Sequence, residues 1–215
     1  MDVNSIFQTW VNVLTKPGEE VFTAEREKSS ATLKTALIWM ILASVISALL
    51  GTLQAQIFSS PLGGVGQIME MLPTELQGEL GPITENATPG GSFLSLSFIF
   101  FGPITFLIGV GIYHVVASVL GGRGQYGRYA YLYATFGAPI IIVGSILGFL
   151  PAVGGCLGAI LGIYQIVLNY FALKVEYQLS QGRAVVVVVA PLLVGLALVA
   201  CLAIALVGMV ASVMQ

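Results

Sequence analysis

His114 is the single histidine of this 215-residue chain, and it lies inside a long apolar stretch. An ionisable group there is costly to keep, which makes it a functional candidate by default. It stands a turn or two from the end of its stretch, not at the middle. Glu176, near the end of another apolar stretch, is the carboxylate that would partner it. A buried His114–Glu176 pair would relay protons or switch its charge with pH. The plainer alternative is an interfacial histidine bonded to backbone or water. Beyond this pair the chemistry thins out. A hydrolytic metal needs about three protein ligands and an open position, which one histidine without a mid-stretch carboxylate does not supply. No Gly-x-Ser-x-Gly elbow occurs. Cys156 and Cys201 lie in apolar runs without disulfide or metal spacing and read as small packing residues. No catalytic residue, metal or cofactor is expected, and the chain reads as a non-enzyme.

A second set of residues suits binding. Tyr126, Tyr129, Tyr131 and Tyr133 cluster beside Arg123 and Arg128. Aromatic rings of this kind anchor at a membrane–water boundary, and the arginines attract anionic headgroups. Arg183 lies in a similar basic segment further on. Near the N-terminus, Phe7 and Trp10 belong to an apolar stripe, Val3, Ile6, Phe7, Trp10, Val11 and Leu14, that recurs at helical spacing. Together, Phe7, Trp10, Arg123, Tyr126, Arg128 and Arg183 form the expected face for lipid or for a protein partner. The cluster serves plain anchoring equally well.

The elements that must position these groups are membrane helices. Only 8% of residues are charged and 57% are hydrophobic, against about 25% charged in a soluble domain. The mean hydropathy is +0.95. The fold expected is all-α, a polytopic bundle of five transmembrane helices with an N-terminal amphipathic helix on the surface, or packed on the bundle's end. Residues 1–32 form the interfacial segment, in which Lys16-Pro17-Gly18 ends the first helix, Pro17 opens a second short one, and residues 25–30 are a charged linker. Residues 33–215 form the membrane domain. Its first apolar run begins near Leu33, too late for a cleaved signal peptide.

The spans expected are residues 33–58, 92–120, 129–150, 154–171 and 185–213. A span of about 22 residues rises about 33 Å, enough for a hydrocarbon core of about 30 Å. The second is long enough to require a tilt or a break, with Pro103 as the natural kink. The third and fourth make a tight hairpin through the turn Leu150-Pro151-Ala152-Val153. Gly144 and Gly148 on one arm, and Gly154, Gly158 and Gly162 on the other, recur at spacing four. Helices in lipid gain nothing hydrophobic by meeting, so small residues that let backbones approach must supply the attraction. These faces suit packing within one chain or between two copies. Residues 59–91 carry prolines, glycines and glutamates but no lysine or arginine, and read as an external loop with a short surface helix.

All 8 lysines and arginines fall in the N-terminal segment, the loop between the second and third spans, and the loop between the fourth and fifth. The positive-inside rule puts these segments and the N-terminus in the cytoplasm and the C-terminus outside. A net charge of −2 gives no reason to expect nucleic acid.

The layout resembles the Yip1 family of five-span membrane proteins. The resemblance rests on the stretch His114-Val115-Val116-Ala117-Ser118-Val119-Leu120-Gly121-Gly122-Arg123-Gly124, and on the aromatic run Tyr126 to Tyr133 followed by Gly137-Ala138-Pro139. It rests also on Leu179-Ser180-Gln181-Gly182-Arg183-Ala184. It is greatest toward prokaryotic members, which implies a plasma (inner) membrane location. The resemblance implies a non-catalytic role in membrane organisation or traffic, through lipid or protein binding at the cytoplasmic face. Eukaryotic relatives that contact small GTPases carry a longer N-terminal region, so that activity is not carried over. The alternative reading is a small transporter or channel with a pathway between helices two, three and four.

Overall fold

Every described residue of the computed structural model sits in a helix or a short link between helices; the description covers residues 3–58, 90–195 and Cys201. The helices are α1 (Val3–Thr15), α2 (Glu19–Arg26), α3 (Leu33–Phe58), α4 (Gly90–Val119), α5 (Tyr126–Leu147), α6 (Pro151–Tyr177) and α7 (Gln181–Gly195). Four of them carry apolar spans long enough to cross a membrane: Leu33–Gln54, Ser97–Val119, Tyr126–Leu147 and Val153–Tyr177. The expected external loop and its short helix lie outside the described residues. Of the fifth span, α7 is described, and most of the remainder lies outside them.

α5 is the axis of the bundle. Within its span 56% of residues are buried, against 17% in the span of α4. α3 packs along both α4 and α5, and α6 lies against α5. The inward faces are rich in small and aromatic residues: Ala36, Ala43, Ala117, Ala130, Ala134, Ala138, Tyr129, Tyr131 and Phe136 are all buried. The outward faces are greasy. Ile41 and Leu49 on α3, Phe100, Ile104 and Ile108 on α4, and Ile160 and Ile163 on α6 are exposed. In water so much exposed hydrocarbon would mark an interaction surface or an aggregation hazard. Around a helical bundle of this length and composition it is the lipid-facing coat.

Three expectations change in the structure. Of the tilt or break expected in the second span, the break is absent: α4 runs unbroken through Pro103 from Gly90 to Val119. Gly102 beside it is where α3 comes close: a Cβ there would lie 2.5 Å from Ser44 Oγ. The hairpin link is residues 148–150, because Pro151 is the first residue of α6 and not part of the turn. Proline suits that place, where its missing N–H would be unpaired anyway and its φ is preset for helix. Finally, α6 does not stop near Phe171 but continues to Tyr177. Lys174 and Glu176 look like loop residues because they are charged, yet both charges are paired within the fold.

α1 and α2 form an arm docked on the bundle. Phe22 of α2 is fully buried between Phe136 and Phe171, at ring-centroid distances of 6.1 and 6.5 Å. Trp10 of α1 meets Trp39 edge-on at 5.9 Å, and the Tyr164 hydroxyl donates to the Leu14 carbonyl at 2.6 Å. Val13 is buried, while Phe7 is 65% exposed. The stripe expected to lie on a membrane is therefore shared: Trp10 and Leu14 pack inward, and Phe7 and Val11 face out.

Candidate functional site

Glu176 lies in the last turn of α6 with a side chain fully removed from solvent. A buried carboxylate is tolerated only when paired and hydrogen-bonded. Three donors from three places in the chain meet it. Oε1 accepts from the Gln125 backbone N–H at 2.7 Å and from Arg128 Nε at 3.1 Å; Oε2 accepts from Arg26 Nε at 3.0 Å. Arg128 stands in the first turn of α5, and Arg26 ends α2. The cluster ties the arm, the α4–α5 link and the end of α6 into one charged end of the bundle.

The neighbouring residue builds the other half of this end. Helical neighbours point roughly 100° apart, at 3.6 residues per turn, so Tyr177 faces α4 while Glu176 faces the arginines. The Tyr177 hydroxyl and His114 Nδ1 are 2.6 Å apart. This corrects the expected His114–Glu176 pair: the histidine meets the residue next to the carboxylate. The Tyr177 carbonyl accepts from the Arg123 N–H at 3.2 Å. Its ring lies so close to the α4–α5 link that a Cβ on Gly124 would be 2.6 Å from Cδ1. Gly121 in the same link has φ +86°, the left-handed region that favours glycine. The run Gly121-Gly122-Arg123-Gly124 is thus shaped by Tyr177.

A second buried carboxylate, Glu25, lies in α2. It accepts from the Tyr131 hydroxyl at 3.0 Å and pairs with Lys28 at 2.6 Å. Lys28 also donates to Thr9 Oγ1 at 3.1 Å, which joins α1 to the same network. Lys174 of α6 pairs with Glu19 at the start of α2. Residues 25–30, expected as a charged linker, therefore begin inside a helix, and three of their charges, Glu25, Arg26 and Lys28, are structural. Below this level Tyr129, fully buried, donates to Asn169 Oδ1 at 2.7 Å, and Gln165 Nε2 donates to the Tyr133 hydroxyl at 2.8 Å.

Of the expected face, Arg123, Arg128, Tyr126 and Arg183 come to this one end. Arg123 and Arg183 are exposed, and Arg183 reaches over Gly121, with Nη1 3.5 Å from the position a Cβ there would take. Arg128 is turned inward onto Glu176. Tyr126 is half-buried; its hydroxyl donates to the Leu107 carbonyl at 3.0 Å and its ring stands edge-on to His114 at 5.6 Å. Arg26 is the residue that sequence reasoning missed. Its one local signal is position: with Glu19 and Phe22 it lines the side of α2 that meets α6. Of the five glycines, Gly148 packs against the Gln54 side chain and Gly154 against the Leu147 carbonyl. Gly144, Gly158 and Gly162 meet nothing within 4 Å among the described residues.

The fold and this charged collar define a class: an integral membrane protein, multi-pass and helical, with the arm of α1 and α2 docked on its bundle. The chain belongs to the Yip1 domain family, whose model matches residues 11–202. The matched stretch takes in α2 and every residue of the Glu176 cluster. Neither the curated proteins nor the solved structures contain a match to the chain.

Proposed function

We propose that this protein is a non-catalytic membrane organiser whose charged end lies in the cytoplasm. There it binds anionic lipid headgroups, with a cytoplasmic or membrane protein as the other partner open to it. A trafficking-type role in a prokaryotic plasma membrane is the setting that fits. The observation that carries the reading is the gathering of exposed Arg123 and Arg183 and half-buried Tyr126 at one end of the bundle. All 8 lysines and arginines of the chain belong to segments of that same side, which supports a cytoplasmic orientation. Where α4, α5 and α6 come together, Phe106, Tyr129, Tyr133, Phe136 and Leu168 belong to one packed apolar cluster, with Tyr133 in ring contact with both Phe106 and Phe136. That packing supports binding over a solute pathway.

The test is the lipid that stays with the protein. Arg123→Gln combined with Arg183→Gln removes two exposed cations and leaves the Glu176 cluster intact. Native mass spectrometry of the purified full chain should then count fewer anionic lipids and unchanged zwitterionic ones. Equal retention of anionic lipid by wild type and double variant would count against the reading. In sealed proteoliposomes the wild-type chain should release no trapped solute across a broad panel.

A further inference from the structure

Arg26 and Arg128 engage Glu176 through one nitrogen each, Nε in both cases, at 3.0 and 3.1 Å on different carboxylate oxygens. Among the described residues neither guanidinium has another hydrogen-bond or ionic partner. The Nη nitrogens therefore remain unengaged, and these form the planar fork that matches phosphate oxygens. Both side chains are mostly enclosed, 23% and 33% exposed, so their charges are less screened than those of free surface arginines. The carboxylate's third contact, the Gln125 N–H, is neutral. Two cations against one anion leave the cluster with a net positive charge, and a purely structural ion pair would need only one arginine.

Depth adds a second constraint. Arg128 opens the span Tyr126–Leu147 and Glu176 closes the span Val153–Tyr177. The cluster thus lies where hydrocarbon gives way to headgroups. We infer that Arg26 and Arg128, held in register by Glu176, form a site for a phosphate-type anion at the charged end of the bundle. The phosphate of a lipid headgroup and free phosphate share this chemistry, and the depth favours the headgroup. The site deepens the binding reading above and rests on it for the presence of headgroups at this end. Arg123 and Arg183 then form an outer, less specific ring around a fixed inner fork.

The full chain is placed in nanodiscs of phosphatidylcholine, alone or mixed with phosphatidic acid, and its thermal unfolding is followed by tryptophan fluorescence. A ligand that binds the folded state raises the midpoint. Phosphatidic acid should raise it in the mixed discs. Inorganic phosphate should raise it in phosphatidylcholine discs more than chloride at matched ionic strength. Arg26→Lys and Arg128→Lys each keep a cation on Glu176 but remove the fork. Each should weaken the apparent phosphate affinity by about tenfold, the effect of losing one charge-assisted hydrogen bond. Every variant is read as its ligand-induced shift from its own baseline. A wild-type chain indifferent to both phosphatidic acid and phosphate would overturn the inference without any variant. So would lysine variants that respond as wild type does. Anionic lipid lost by the Arg123→Gln, Arg183→Gln double variant alone would leave the outer face standing and remove the inner site. Loss confined to the lysine variants would do the reverse.

Discussion

Glu176 shows how one residue joins distant parts of a chain. Its carboxylate is fully buried and its donors come from α2, α5 and the link before α5. Removing one member of such a cluster leaves the others with uncompensated charge. Glu176→Gln should cost on the order of 2–3 kcal/mol, toward the low side for a broken buried pair because both arginines keep some contact with water. The exposed Glu27 is the control: Glu27→Gln should stay within about 0.5 kcal/mol of wild type. Equilibrium unfolding in mixed detergent reads both, and equal stabilities would remove Glu176 from its central place. Gly124→Ala tests the aromatic half of the site. Its Cβ would lie 2.6 to 2.8 Å from three ring atoms of Tyr177, which cannot move aside as a chain end would. A loss of about 1–3 kcal/mol is expected, together with altered spectroscopic signals of His114. Gly158→Ala, whose Cβ would meet nothing within 4 Å among the described residues, should be neutral or stabilising by up to about 1 kcal/mol.

At the scale of the element, the arm is the part whose attachment matters most. α2 has only 8 residues, too few to hold as an isolated helix in water. It persists because Phe22 is buried against Phe136 and Phe171 while Glu19, Glu25 and Arg26 are paired to Lys174, Tyr131 and Glu176. Phe22→Ala should cost about 3–5 kcal/mol of docking. Hydrogen exchange should then speed up across α1 and α2 while α5 stays protected. Exchange that is unchanged in the arm, or raised everywhere, would contradict this division. Four of the five expected spans were legible in the sequence because length and hydropathy define a membrane helix almost without competition. The short helix after Pro17 was legible through its acidic first turn, although it begins at Glu19, after the N-cap Gly18, and not at Pro17. The end of α6 was not. Lys174 and Glu176 carry charge, and charge in a sequence looks like the end of a span. Glu176 is paired with an arginine 150 positions away, and nothing local signals such a partner. The expected His114–Glu176 pair was misplaced by one residue for a related reason: spacing gives the end of the helix but not which of two neighbours faces inward.

At the scale of the whole molecule the dominant feature is asymmetry. The bundle is greasy outside, aromatic and small within, and charged at one end, where arm, links and helix ends are tied together. That is the design expected of a protein that stands in lipid, in keeping with its place in the Yip1 domain family, and the charged end is the face proposed to meet headgroups. The side of the membrane on which the charged end stands decides whether that face meets the cytoplasm. The direct measurement uses Arg123→Cys in a chain whose Cys156 and Cys201 are replaced by alanine, labelled with a membrane-impermeant maleimide. The account predicts labelling in inverted vesicles and none in intact cells; labelling from outside intact cells would contradict it.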